Sequence, residues 1–307
     1  MKLPTEPPVL HAQGHLIDPS PECFGWLRES TDVLDDTAEL HRRMEEDGYL
    51  LIRGYLDPEE VLAARREILE KLASVDEIDP DFPLIDGIWS GKSNRAAFDA
   101  SAFAKSIRTG AALRKLLQGG RMVRFFERFL GGEVRPFDWL WVRMPRVGQS
   151  TGCHYDVVYM GRGTHNLYTA WTPLGSVPLT DGPLLILENS HRLEELKRTY
   201  GAIDVDRDRE KNPWGGGWFS RNPVEVRRRY GGRWLTSAFE PGDLLVFGMY
   251  TLHCSADNAS PVNRIRLSSD SRYQLASEPA DERWVGDDPP AHDLEKQEAL
   301  AARGRNA

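Results

Sequence analysis

Cysteine is nearly absent: the 307 residues include only Cys23, Cys153 and Cys254. Three thiols with no C-x-x-C spacing make neither a disulfide framework nor a redox or zinc pair, which fits a reducing, cytoplasmic setting. Long apolar runs are missing as well. The best of them, Leu244 to Tyr250, falls far short of the roughly 18 residues that cross a bilayer. The start, MKLPTEPPVLHAQ, has no basic stretch leading into an apolar one, so neither a membrane nor a secretory route is expected. Positive charge is in deficit, with 39 Lys and Arg against 47 Asp and Glu, a net charge of −8 and a pI near 5.6. That removes the general basic field a nucleic acid would need. The chain also lacks G-x-x-x-x-G-K-[ST], a strand-to-helix G-x-G-x-x-G, the G-x-S-x-G elbow, H-E-x-x-H and a four-ligand zinc spacing, which excludes several common enzyme classes. Hydrophobic residues at 40% and charged residues at 28% are ordinary for a globular chain and rule out wholesale disorder, which leaves a soluble enzyme of a reducing cytoplasm as the expectation.

What is present divides the chain by texture. Residues 1–30, with Pro4, Pro7, Pro8, Pro19 and Pro21, read as an extended arm. Residues 31–132 read as a helical support: a helix from about Asp35 to Asp47 stopped by Gly48, a strand Tyr49 to Arg53, a helix opened by Asp57-Pro58-Glu59-Glu60, and a helical stretch from Ala111 to Leu130 interrupted at Gly119-Gly120. From 133 to 276 short strand-like runs alternate with Gly, Pro, Asn and Asp clusters, which predicts a β core, either a sandwich or a barrel. These runs are Trp139 to Met144, His154 to Met160, Leu167 to Trp171, Leu184 to Glu188, Trp234 to Glu240, Leu244 to Tyr250 and Ile265 to Tyr273. Residues 193–233, rich in Arg, Asp, Gly and Trp, read as a lid inserted into that core, with Trp214, Trp218 and Phe219 as its apolar edge. Residues 277–307 form a tail. The whole is expected to be one domain, mainly β with flanking helices.

The chemistry concentrates at His154-Tyr155-Asp156. On an extended strand residues i and i+2 share a face, so the imidazole and the carboxylate could meet one metal ion. Alone the pair is weak, because eight histidines in so acidic a chain produce about one such spacing by chance. His253, just past the strand Leu244 to Tyr250, supplies the second imidazole that a jelly roll could bring alongside. Two imidazoles and one carboxylate on one face of an octahedral ion leave three positions for a co-substrate and O2, the ligand set of non-haem Fe(II) oxygenases. Arg264 and Arg266, placed on one face of the next strand by period 2, offer a guanidinium fork for the far carboxylate of 2-oxoglutarate, and Ser255 a hydroxyl for it. Tyr159, Arg162 and Asn166 follow the H-Y-D segment and are candidates for the substrate mouth. Arg227-Arg228-Arg229 could meet the phosphates of a CoA ester, although such a run is usually only solvated.

These segments resemble the phytanoyl-CoA dioxygenase family. The matching stretches are E-E-D-G-Y-L-L-I-R-G-Y, H-Y-D-V-V-Y-M-G-R-G-T, Y-T-A-W-T-P-L-G, D-G-P-L-L-I-L-E-N-S-H-R, P-G-D-L-L-V-F, H-C-S-A-D-N and R-I-R-L-S-S-D-S-R-Y-Q. They run in family order from Glu45 to Gln274, about three-quarters of the chain. The resemblance implies a double-stranded β-helix (jelly-roll, cupin-like), with His154, Asp156 and His253 as iron ligands and as the catalytic centre. It also implies a 2-oxoglutarate site using Ser255 and either Arg264 or Arg266, and Trp171 packed near the co-substrate. The implied activity is O2-dependent hydroxylation of a small organic substrate, such as a secondary metabolite, with release of succinate and CO2. A carboxylate rather than a small residue at position 156 argues against halogenation. Two rivals stand beside it: a jelly roll that only binds a small ligand, and a cupin-type metalloenzyme that makes no use of 2-oxoglutarate.

Overall fold

The computed structural model describes residues 9–97, 99–210, 212–213 and 216–304. Local signals set the first helices. Asp36 accepts from the Glu39 N–H and opens Thr37–Asp47, which Gly48 ends at φ 78°. Asp57 caps Pro58–Ala73, with proline in the first turn where no N–H is needed. The stretch between 111 and 130 is two helices, Ala111–Leu117 and Gly120–Leu130, parted at the expected glycines. Their apolar faces lie against the major sheet, where Phe126 stacks on Tyr273 at 4.1 Å between ring centroids. Burial of such a phenylalanine contributes about 1.5–3 kcal/mol.

Two facing sheets form the barrel. The major sheet runs in the order Tyr49–Ile52, Leu244–Gly248, Tyr168–Pro173, Ser268–Leu275 and Val134–Pro136, every pair antiparallel, with Trp141–Arg143 also joined to Ser268–Leu275. The minor sheet orders His253–Ser255, Leu184–Leu187, Trp234–Thr236 and Phe24–Trp26, the last pair parallel. Trp171, Phe247, Leu245, Ile186, Leu235 and Phe239 fill the space between the sheets. This is the double-stranded β-helix that the family resemblance implies, and one of the architectures that the run of short strands allows.

Some expectations are corrected. The first 30 residues are more than an arm. From residue 9 onward they hold a hairpin, Leu10–Ala12 with His15–Ile17, and the outermost strand of the minor sheet, because Phe24 needs a buried face. Residues 1–8 and Trp214 lie outside the described residues. The run from His154 to Met160 is not a strand: His154 makes one bridge, and Val157–Met160 is a short helix. Residues 193–233 contain Glu194–Arg198 and Pro223–Tyr230 as helices. Among the described residues no helix is long and apolar enough to cross a membrane.

Candidate metal and co-substrate site

His154 and His253 oppose each other as a hydrogen-bonded antiparallel pair. Each backbone N–H donates to the other's carbonyl, at 2.9 and 3.1 Å. Residues so paired project to the same side, and the two rings lie 4.2 Å apart. Asp156 joins them by a route the sequence does not show. Its backbone is helical (φ −69°, ψ −29°), and this turn brings the carboxylate back toward the rings. Oδ1 stands 3.9 Å from His154 Nε2 and 4.0 Å from His253 Nε2. One ligand atom from each residue falls within 4.8 Å of the others, and all three side chains are buried.

Hydrogen bonding decides which atoms face the centre. His154 Nδ1 lies 2.8 Å from the Gly152 carbonyl and His253 Nδ1 lies 3.0 Å from that of Thr251. A carbonyl only accepts, so each Nδ1 carries the proton and each Nε2 keeps its lone pair for a metal. Burial, helped by the neighbouring His253, pulls the His154 pKa down to about 3, so the ring is neutral at pH 7. For Asp156 burial favours protonation, but Arg272, the two imidazoles and the Thr169 hydroxyl outweigh it and hold the carboxyl well below its ordinary value. Its Oδ2 accepts from Thr169 Oγ1 at 2.5 Å and from Arg272 Nη2 at 2.9 Å. The donor set, deprotonated and oriented, fits a divalent iron.

Beside the triad lies a cavity walled by Arg143, Thr151, Trp171, Ser255, Arg266 and Asp270, with His154 and His253 at one end. Arg266 is buried, and its Nε and Nη1 have no hydrogen-bond partner. Burial draws its pKa down to about 10, so it remains a cation. An unpaired buried guanidinium is costly unless an anion completes it. Ser255 Oγ accepts from the Thr151 N–H at 2.8 Å, leaving its own O–H to donate. Trp171 packs on Phe239 and lies 5.8 Å from the Arg266 guanidinium. These groups suit a carboxylate of 2-oxoglutarate. The cavity offers only about 20 Å³, room for a water, but it shares Arg143, Thr151 and Arg266 with a cleft of about 590 Å³ into which a longer molecule can extend.

Arg264 goes elsewhere. The regular strand begins only at Ser268, so period 2 does not place Arg264 beside Arg266. It sits in an isolated bridge with Ile88, and its guanidinium donates to Asp181 Oδ2 at 2.9 Å and to the Asp86 carbonyl. Of the residues expected at the substrate mouth, Tyr159 stands near the triad, its ring 5.7 Å from that of His154. Arg162 does not: its Nε donates to Asp204 Oδ2 at 2.6 Å and its Nη1 to Gln297, and no free donor fork remains for a substrate. Asn166 is tied to Glu278 at 3.1 Å. Arg227 is bound to the carbonyls of Gly232 and Glu22, as in a locally solvated run rather than a phosphate site. Sequence reasoning passed over Arg272, Thr169, Asp270 and Arg143. Period 2 extended along Ser268–Leu275 would have found Asp270 and Arg272, which lie directly opposite Trp171 and Thr169 in the neighbouring strand.

Comparison with known proteins agrees. The family profile of phytanoyl-CoA dioxygenase matches residues 44–266. The chain is 28% identical over 269 residues to the 1-deoxypentalenic acid 11-beta-hydroxylase of Streptomyces exfoliatus, covering 81% of this chain and 85% of that one. It is 27% identical over 279 residues to the enzyme of the same name from Streptomyces arenae, covering 83% and 87%. Among solved structures, the epimerase SnoN, in complex with Fe3+, alpha ketoglutarate and nogalamycin RO, superposes with a TM-score of 0.53 at 22% identity, over 82% of this chain and 87% of that one. EctD from S. alaskensis, with 2-oxoglutarate and 5-hydroxyectoine, gives 0.52 at 16% identity, over 92% and 91%. At these identities the structural likeness speaks for the fold. The profile match over most of the chain, joined to the buried His-Asp-His centre, makes this protein a member of the phytanoyl-CoA dioxygenase family, the 2-oxoglutarate-dependent non-haem iron oxygenases.

Proposed function

We propose that the protein hydroxylates a small organic molecule, a secondary metabolite, at an iron held by His154, Asp156 and His253. When bound, iron and 2-oxoglutarate supply the oxidising chemistry: O2 is consumed, succinate and CO2 are released, and a substrate C–H becomes C–OH. The chain's own residues do the rest. His154 and His253 present Nε2, and Thr169 and Arg272 hold Asp156 Oδ2 so that Oδ1 is left for the ion. Arg266 and Ser255 take the distal carboxylate of 2-oxoglutarate, Trp171 walls that end, and Tyr159 borders the substrate. Arg264, committed to Asp181, has no part in it. The secondary-metabolite reading rests on the two Streptomyces hydroxylases named above.

One observation carries this reading. A buried arginine with unpartnered donors and the two imidazoles of the convergent His-Asp-His centre line a single cavity. A ligand-binding barrel has no use for the triad, and a cupin-type enzyme without 2-oxoglutarate has no use for the arginine. The test is succinate formation from 2-oxoglutarate by Fe(II)-loaded protein under air. Succinate that depends on Fe(II) and is lost in His253→Ala is expected. No succinate with iron bound and candidate substrates supplied would overturn the reading.

A further inference from the structure

Arg143 is a cavity-lining cation that the chemistry above leaves unused. It ends the strand Trp141–Arg143, directly opposite Ser268, and lines both the inner cavity and the cleft of about 590 Å³. Its Nε donates to Asp270 Oδ2 at 2.6 Å, which fixes the plane of the guanidinium. Among the described residues no hydrogen bond engages Nη1 or Nη2. Burial opposes its charge, but Asp270 keeps the pKa above its ordinary value, so the group is a cation at every working pH. A pinned Nε with a free Nη pair is half of a bidentate fork awaiting an acceptor.

Two features of the surroundings define that acceptor. The first is charge. The ionised groups around the centre are three guanidinium ions, buried Arg266 and Arg272 and partly exposed Arg143, against two carboxylates, Asp156 and Asp270. Ferrous iron and doubly ionised 2-oxoglutarate cancel each other, so the loaded site keeps a single excess positive charge. One more monoanion neutralises it. At the cleft's outer end Asp257 does not supply that anion, since its carboxylate is taken by the N–H groups of Gln13 and Gly14 and by Ser150. The second feature is shape. Next to Arg143 the cleft carries Val142, Met144, Pro145 and Trp218 together with the polar Gln149, Ser150, Thr151 and Arg221, so a carboxylate held at Arg143 would leave the rest of a molecule against a mixed wall.

We propose that Arg143 anchors the carboxylate of the substrate, which is therefore an organic monoacid. This deepens the function proposed above and rests on it. Both ligands would lie against one cavity, so the test has to separate substrate from co-substrate. Binding of cyclohexanecarboxylate and of its neutral amide, cyclohexanecarboxamide, is measured by ligand-observed NMR on anaerobic protein loaded with Fe(II) and 2-oxoglutarate. The 2-oxoglutarate Kd is measured alongside by calorimetry. Wild-type protein is expected to prefer the acid by at least tenfold. Arg143→Gln should erase that preference. Arg143→Lys, which keeps the charge beside Asp270 and so preserves the fold, should keep the preference but bind the acid severalfold more weakly, having lost the fork. In both variants the 2-oxoglutarate Kd should stay within about threefold of wild type. Equal binding of acid and amide by wild type overturns the proposal, as does an unchanged preference in Arg143→Gln or unchanged acid affinity in Arg143→Lys. A tenfold rise in the 2-oxoglutarate Kd of either variant also overturns it, by assigning Arg143 to the co-substrate. If wild-type protein fails to bind 2-oxoglutarate, the parent reading falls, and the acid-over-amide preference on the same protein still decides Arg143.

Discussion

The molecule contains two dense clusters of buried charge that behave in opposite ways. In the outer one Arg283 is fully buried between Asp281 and Asp206, at 2.6 and 2.8 Å, and Arg162 closes the group through Asp204 at 2.6 Å. His292 and Gln297 complete Asp206, tying the C-terminal segment to the body. Donors and acceptors there are matched to one another. In the inner cluster Arg266 has donors without acceptors, Arg143 holds only one of its partners, and two imidazole Nε2 atoms and Asp156 Oδ1 converge on a common point. Both clusters are rich in Arg and Asp. What separates a structural network from a site is the remainder left after hydrogen bonds are assigned: the first has none, the second has one shaped for a metal and carboxylates.

Breaking this contrast should give effects of very different size. The largest belongs to the triad. His154→Ala, Asp156→Ala and His253→Ala should each abolish Fe(II)-dependent succinate formation while the far-ultraviolet circular dichroism stays native, because the fold rests on three apolar cores elsewhere. Next comes the pair of arginines two residues apart. Arg266→Ala should raise the 2-oxoglutarate Kd about 100-fold, the loss of a charge-assisted bidentate contact, and Arg264→Ala should leave it within about threefold. Equal effects would erase the distinction between a committed and an open guanidinium. In the outer cluster, Arg283→Met should lower unfolding free energy by about 3–5 kcal/mol by stranding buried carboxylates, with turnover per folded molecule retained. Denaturant titration alongside succinate assays reads both.

The most gradual effect, small near neutral pH, is a pH dependence. The His154 pKa is near 3 in the fold and about 6.5 in an unfolded chain, so between these values the unfolded state binds the extra proton. Metal-free protein should therefore lose stability progressively as pH falls below about 6.5, by at most about 1.4 kcal/mol per unit from this residue. His154→Gln should flatten that slope.

How much of this the sequence discloses depends on whether the signal is local. Caps at Asp36 and Asp57, stops at Gly48 and Gly131 and the short alternating strands are written in neighbouring residues, and the elements follow them closely. The ligands His154, Asp156 and His253 could be named because their spacing and flanking motifs are informative. The means of convergence could not. Strand geometry was the natural inference for His154 and Asp156, yet a helical turn and a cross-strand bridge to His253 do the work, and both depend on contacts about a hundred residues apart. Arg264 and Arg266 look alike in the chain; only Asp181, remote in sequence, distinguishes them. Arg162 looks available at the substrate mouth for the same reason, since its partners Asp204 and Gln297 are also remote.

The central claim, that three side chains form one iron site and Arg266 makes it a 2-oxoglutarate site, is tested most directly by anaerobic equilibrium dialysis with Fe(II), followed by calorimetric titration of 2-oxoglutarate. One tightly held Fe(II) per chain in wild type and in Arg266→Ala is predicted, with 2-oxoglutarate binding in wild type that requires the metal and is about 100-fold weaker in Arg266→Ala. Iron retained by His253→Ala at wild-type affinity, or 2-oxoglutarate bound equally well without Arg266, would contradict it.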